Sequence, residues 1–206
     1  MPDQAHWDNI YASRPGDSLS WYQQRGGLSL EWIRQMDLPV SAAIIDVGGG
    51  TSRLVDDLVA AGYRDLTVLD LSRQALDISR SRLGNAGTTV SWLAKDITQA
   101  DLPAERFDLW HDRAVFHFLT AAADREAYVA RLHGSLRPGG RVLMATFALT
   151  GPERCSGLPV IRYGPDSLHA TLGEDLRLIQ YATEDHTTPG GVMQPFNFCL
   201  FEKPRH

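Results

Sequence analysis

The sequence predicts an α/β fold built on a doubly wound, mostly parallel sheet that ends in an antiparallel hairpin at one edge. Three observations carry the prediction: short apolar runs alternate with amphipathic stretches, a run of three glycines follows the first apolar run, and acidic residues stand at the ends of successive runs. Alternating strands and helices give parallel neighbours with helices on both faces of the sheet. Strands buried on both faces read as nearly continuous apolar runs.

Taken in order, the first forty residues are polar and aromatic, with Trp7, Tyr11, Trp21, Tyr22 and Trp32. Leu28, Trp32 and Met36 recur every four positions, which predicts a helix over residues 28–37, and Pro39 interrupts it. Buried strands are expected at Ala42–Val47, Leu66–Asp70, Val90–Ala94, Phe107–His111 and Arg141–Phe147. Helices are expected at Ser52–Ala61, Arg73–Leu83 and Ala122–Leu136. Pro138-Gly139-Gly140 reads as a turn that stops the last of these helices and launches the next strand. Beyond a Gly/Pro-rich loop at Gly151–Pro159, a helix is expected near Asp166–Leu172. Strands near Leu176–Tyr181 and Phe196–Phe201 would pair antiparallel at the sheet edge.

The chain has 206 residues, of which 43% are hydrophobic and 22% charged, as expected for one folded domain over residues 1–206. No apolar run approaches the length of a membrane span, and the N-terminus lacks the basic start and apolar run of a secretion signal. The expected address is the cytoplasm, without a membrane partner. A net charge of −5 and the lack of a dense Lys/Arg cluster argue against nucleic-acid substrates. Cys155 and Cys199 have neither metal-ligand spacing nor the density of a disulfide scaffold, so reduced thiols and no metal site are expected.

The segment Ile44-Ile45-Asp46-Val47-Gly48-Gly49-Gly50-Thr51-Ser52-Arg53-Leu54 runs from a strand through three glycines into a helix. Glycines at the carboxyl end of a central strand allow a sharp turn and close approach of a ligand. The dinucleotide pattern G-x-G-x-x-G needs a glycine where Arg53 stands, and no Gly-Lys-Ser/Thr follows for a phosphate loop. Asp46 can hold a cationic group or orient the loop, but it would repel a pyrophosphate. The next strand ends in Asp70, placed to accept both hydroxyls of a ribose, and the third is followed by Asp96, placed to accept from an adenine amino group. The fourth ends in His111-Asp112-Arg113 under the same crevice. Each acid could instead cap a helix or turn, but the ordered set on one side of a sheet argues for a ligand.

These residues resemble the class I S-adenosylmethionine-dependent methyltransferases. The likeness rests on Asp46 to Ser52, on Val68-Leu69-Asp70-Leu71-Ser72 and on Ala94-Lys95-Asp96-Ile97. It extends to Phe107-Asp108-Leu109-Trp110-His111-Asp112 and Leu136-Arg137-Pro138-Gly139-Gly140-Arg141-Val142-Leu143, and covers roughly residues 40–150. The resemblance implies a Rossmann-like class I methyltransferase fold with S-adenosyl-L-methionine as cofactor. It implies that the loop of Gly48, Gly49, Gly50 and Ser52 meets the methionine part, Asp70 the ribose and Asp96 the adenine, with Leu71 and Ile97 as apolar neighbours. Residues 1–40 would then form a helical and aromatic cover, 41–150 the cofactor-binding core and 151–206 the substrate side. The Thr-Ser-Arg-Leu and Gly-Tyr-Arg-Asp elements between Gly50 and Ser72, with Trp7, Tyr11 and Ser20-Trp21-Tyr22, are similar to a subgroup that includes protein lysine methyltransferases. In that likeness Trp21 and Tyr22 fold over the cofactor; alternatively they staple the first helix to the core.

Methyl transfer needs a base only where the acceptor must lose a proton. Asp112 and His117 are the candidates for that task, while Asp112 could instead pair with Arg113. His117 lies in an apolar run and reads either as a neutral base at the cofactor mouth or as a buried histidine with a backbone partner. Arg113, Arg162, Tyr163 and His186 are candidate acceptor contacts, Arg162 with Tyr163 as a clamp for a carboxylate or phosphate, against the plain alternative of surface charge. The expected activity is methyl transfer to a small O-, S- or N-nucleophile. A protein lysine acceptor is the close alternative; a non-catalytic adenosine-binding module and an NAD-dependent oxidoreductase are the alternatives of other classes.

Overall fold

The computed structural model describes residues 4–205. Its principal sheet has seven strands in the order β3-β2-β1-β4-β5-β9-β8: β1 Ala43–Val47, β2 Asp65–Asp70, β3 Val90–Ala94, β4 Phe107–Arg113, β5 Leu136–Phe147, β8 Arg177–Thr187 and β9 Met193–Glu202. The first five strands run parallel, and β9 is antiparallel to both β5 and β8. The chain moves outward from β1 through β2 to β3 and then returns to lay β4 beside β1. The strand order therefore reverses between β1 and β4, where open α/β sheets form a ligand crevice beyond the strand ends.

Strand periodicity explains why both faces are covered. Along β5, Leu143, Ala145 and Phe147 enter one apolar cluster, shared with Leu30 and Ile33 of helix α2 (Gly27–Gln35) and Leu54 and Leu58 of α3 (Leu54–Ala60). The alternating Val142 and Met144 enter a second cluster with Tyr128 and Leu132 of α5 (Ala122–Ser135) and Leu168 and Leu172 of α6 (Pro165–Leu172). Helix α4 spans Arg73–Leu83, as the sequence predicts, with Ser72 as its cap: the Ser72 hydroxyl accepts from Ala75 N–H at 3.2 Å.

Four details depart from the sequence reading. Gln4–Ser13 forms a helix of its own, α1, which the polar and aromatic composition did not announce. Pro138–Gly140 does not separate helix from strand: β5 starts at Leu136, directly after α5, and loops out around Gly139 (φ +76°). Its pairing with β4 shifts there, between Phe107 and Leu109, while Gly139 N–H donates to the Lys203 carbonyl at 2.9 Å. The loop after β5 holds a small hairpin of β6 (Arg154–Cys155) and β7 (Leu158–Pro159), turned by Ser156 (φ +52°) and Gly157 (φ +81°). Strand β8 is longer than its apolar run because it lies at an edge, where alternate residues face solvent. Among the described residues no helix is long and apolar enough to cross a membrane.

Candidate functional site

The glycine loop turns the chain out of β1 at the strand-order reversal. Gly48 has φ +72°, and a Cβ there would fall 1.9 Å from Val115 Cγ2; Gly50 has φ +42°, and its Cβ would meet the Tyr11 hydroxyl at 2.5 Å. Neither position tolerates a side chain without rearrangement. The loop is fastened from two sides. Gly48 N–H donates to the Leu69 carbonyl at 2.7 Å, and the Gly50 carbonyl accepts from the Ser79 hydroxyl at 2.7 Å. Arg82 donates to the carbonyls of Thr51 (3.1 Å) and Ser52 (2.7 Å) while forking onto both oxygens of Asp56. The Ser52 hydroxyl in turn accepts from Leu54 N–H at 3.1 Å at the start of α3.

Around this loop lie two adjoining cavities that share Trp21, Gly48 and Arg113 in their walls. The first contains Asp70, Leu71 and Ile97 together with Trp7, Tyr11 and Phe118. The second contains Asp46, Gly49, Ser52 and His111 together with Tyr22 and Ser29. In the first, one oxygen of Asp70 accepts from Ser72 N–H at 2.7 Å. Burial, with the neighbouring Asp46 and Asp8 carboxylates, pushes its pKa up to about 7. In the second, a buried chain joins three elements: His111 Nδ1 lies 2.7 Å from Asp46 Oδ1, and His111 Nε2 lies 2.8 Å from the Ser29 hydroxyl. This arrangement fixes the Asp46 carboxylate and leaves Asp46 Oδ2 buried without a hydrogen-bond partner.

Eleven of the sequence-selected residues are therefore brought together: Trp21, Tyr22, Asp46, Gly48, Gly49, Ser52, Asp70, Leu71, Ile97, His111 and Arg113. Gly50 supports the loop from beneath. Asp96 lies between Lys95 and Ile97, which line the first cavity, but does not itself line either cavity; its Oδ1 closes a turn by accepting from Thr98 N–H (2.8 Å) and the Thr98 hydroxyl (2.7 Å).

The acid–base candidates lie elsewhere. Asp112 does not pair with Arg113, since adjacent strand residues face opposite sides of the sheet. It is fully buried and accepts from the Tyr128 hydroxyl at 2.6 Å, from Val115 N–H at 2.9 Å and from Phe116 N–H at 3.2 Å. Burial raises its pKa to about 6. His117 is the buried histidine with a backbone partner: its Nδ1 accepts from Phe147 N–H at 3.2 Å, its ring packs on Phe118 and Phe147, and burial pushes its pKa down to about 3. Neither residue lines a cavity.

The proposed Arg162–Tyr163 clamp does not form. Arg162 pairs with Glu153 at 3.0 Å and donates to the Gly151 carbonyl, whereas Tyr163 is buried against Phe116. His186 Nε2 donates to the Ser20 carbonyl at 2.7 Å, so it fastens the N-terminal segment rather than reaching the cavities. Cys155, buried and free, does line the first cavity. The sequence reading of the site missed Trp7, Tyr11, Val115 and Phe118. The spacing of Trp7 and Tyr11, one helical turn apart, was the available signal for the first pair.

Residues 44–140 match a family model described as a methyltransferase domain. The chain is 26% identical over 117 residues to EEF1A lysine methyltransferase 2 of Danio rerio, covering 54% of this chain and 50% of that relative. It therefore spans half of that relative's length. Among solved structures, one reported for conversion of a disulfide bond into a thioacetal group during echinomycin biosynthesis superposes with a TM-score of 0.76 at 18% identity, covering 98% of this chain and 93% of the other. The 1,6-didemethyltoxoflavin-N1-methyltransferase of Burkholderia thailandensis, with bound 1,6-didemethyltoxoflavin and S-adenosylhomocysteine, superposes with a TM-score of 0.71 at 21% identity, covering 97% and 88%. At these identities the structural likeness concerns the fold.

Proposed function

We propose that the chain, whose residues 44–140 match a methyltransferase-domain model, acts as a class I S-adenosylmethionine-dependent methyltransferase and transfers a methyl group from S-adenosylmethionine to a small-molecule O-, S- or N-nucleophile. The observation that carries this reading is the pair of joined cavities around Gly48, with Asp70 on one side and the unpaired Asp46 Oδ2 on the other. The residues fit the cofactor's chemistry. Asp70 would take the ribose hydroxyls, Leu71 and Ile97 the adenine faces, and Asp46 the ammonium of the methionine part, with His111 and Ser29 holding Asp46 in place. When bound, the cofactor supplies a sulfonium-activated methyl group.

The chain's contribution is then position and a dry site. Trp7, Tyr11 and Trp21 close over the cavity, and Gly48 leaves the space in which acceptor and methyl carbon can align. With Asp112 and His117 engaged elsewhere, we assign no general base among the sequence candidates, which favours an acceptor whose nucleophile is already ionised or carries a free lone pair at neutral pH. In this proposal residues 1–40 cover the site, 41–150 hold the cofactor and 151–206 face the acceptor, as one domain acting in the cytoplasm.

A protein lysine acceptor is the second reading, favoured by the name of the Danio rerio relative. Calorimetric titration with S-adenosylhomocysteine and with NAD tests the cofactor, and the expected result is tighter binding of S-adenosylhomocysteine. Tighter NAD binding would overturn the proposal. Formation of S-adenosylhomocysteine from S-adenosylmethionine across thiols, carboxylic acids, amines and protein lysates then tests transfer. No turnover with any of them would leave a binding module, and methylated lysine in lysate protein would establish the second reading.

A further inference from the structure

Arg113 forms part of the partition between the two cavities, and its hydrogen bonding is incomplete. Nη1 donates to the Trp21 carbonyl at 2.9 Å, and the guanidinium carbon lies 4.7 Å over the Phe196 ring. Nε and Nη2, the edge of the guanidinium that matches a carboxylate's two oxygens, are buried and have no hydrogen-bond partner. Leaving two charged donors of a buried guanidinium unmatched costs stability, and such a group is a reason to look for a missing acceptor.

No carboxylate of the chain fills that role among the described residues. Glu184 lies in the electrostatic field of the guanidinium, but its Oε1 accepts from Gln23 Nε2 at 3.1 Å, and neither Nε nor Nη2 of Arg113 donates to it. Asp112, the sequence neighbour, is occupied by Tyr128 and two backbone amides. Of the groups around the guanidinium, Phe196, Cys155, Glu184 and His186 come from the C-terminal third of the chain, and Trp21 and His117 from earlier segments. Phe196 on β9 and Glu184 on β8 lie on the far side of β4 from β2 and β3, beside which Asp70 and Ile97 stand. The unmatched fork therefore stands where the two cavities meet, on the β4 side of Gly48.

We propose that Arg113 is the specificity determinant for an anionic acceptor, holding a planar carboxylate of a small, largely apolar molecule through Nε and Nη2 while Trp21, Phe118 and Val115 enclose its body. This rests on the methyltransferase reading and refines it. A cationic acceptor such as a lysine side chain would meet an unneutralised guanidinium in a poorly solvated space, where like charges repel strongly. The structure thereby favours the small-anion acceptor over the protein lysine.

The test is calorimetric binding of benzoate, benzamide and benzylamine to the protein saturated with S-adenosylhomocysteine. Benzoate is expected to bind at least about tenfold more tightly than either of the other two, as a two-bond charge-assisted pair provides. R113Q should abolish the preference, and R113K, which keeps the charge but loses the fork, should retain only part of it. Both variants are compared at saturating S-adenosylhomocysteine, because losing the Arg113 bond to the Trp21 carbonyl loosens the roof over the cofactor. If R113Q weakens S-adenosylhomocysteine but not its decarboxylated analogue, Arg113 belongs to the cofactor's own carboxylate and the acceptor role is overturned. Absence of a preference for benzoate, whether all three bind alike or none binds, would overturn it too. A parent protein that fails to bind S-adenosylhomocysteine removes the methyltransferase reading itself, an outcome distinct from either.

Discussion

The two sides of the cleft satisfy their polar groups differently. On the β1–β2 side, the glycine loop is tied by Leu69, Ser79 and Arg82, and Asp70 is steadied by Ser72 N–H. There the protein completes its own hydrogen bonds and leaves one unmatched acceptor, Asp46 Oδ2. On the β4–β9 side it leaves unmatched donors, Nε and Nη2 of Arg113. The contrast teaches that the first side is a preformed socket for a ligand presenting a cation, and the second a socket for one presenting an anion. Both residues border the second cavity, so one offers it a free acceptor and the other free donors.

The strongest way to break the first socket is Gly48→Val. The new side chain would collide with Val115 and would force a β-branched residue to φ +72°. Affinity for S-adenosylhomocysteine should fall by more than about a hundredfold, together with the thermal midpoint, because a β-branched residue there is strained as well as crowded. Retained affinity in the calorimeter would show that the ligand does not approach this loop.

Asp70→Asn is the next test, and it separates binding from stability. Removing one charged acceptor should weaken S-adenosylhomocysteine about tenfold to a hundredfold. In the parent, affinity should decline as pH falls through 7, because Asp70 takes up a proton near pH 7. The variant should lose that dependence. Stability should respond in the opposite sense. A carboxyl whose folded pKa is raised contributes stability at low pH that is lost as pH rises through the folded value. Thermal melts should therefore show the variant gaining on the parent as pH rises from 3.8, the ordinary carboxyl value, to about 7, with the difference level above that. A parallel pH profile in parent and variant would remove Asp70 from the ribose role.

The smallest effect is expected from His117→Phe. The ring is fully buried and sits outside both cavities, so turnover should stay within about twofold of the parent, with a stability change of ~1 kcal/mol for the lost bond to Phe147 N–H. A large fall in kcat without a change in melting behaviour would restore His117 as a base.

These differences also explain what could be read in advance. The sheet was legible because β1 and β5 are buried along nearly their whole length, so their apolar runs had no other use. Asp46 and Asp70 were legible because they lie within or at the end of such runs beside the glycines. Asp112 misled because proximity in sequence carries no information about which face a strand residue occupies. Register does: His111 lies opposite Asp46 on neighbouring strands, so His111 and then Arg113 share the glycine-loop face while Asp112 points away. The pairing of β1 with β4 was not in the sequence, and the parity could not be assigned without it. The Trp7 and Tyr11 contribution was hidden for a related reason, since an aromatic helix at the N-terminus does not declare which cavity it will cover.

The N-terminal segment has one more consequence. Asp8 accepts from Ser72, the Ser20 carbonyl from His186, the Trp21 carbonyl from Arg113, and Gln23 donates to Glu184. The aromatic roof is thus latched at four points, on the α4 cap, on β4 and on β8. Each latch is a single contact worth about 1 kcal/mol net, so releasing them together costs a few kcal/mol. Fluctuations of that size recur on the microsecond to millisecond scale. The same segment is also packed by Trp7 against Phe118 and Trp21 and by the buried Tyr11 and Leu19, so a change at Arg113 or His186 is felt in the roof over the cofactor without displacing it.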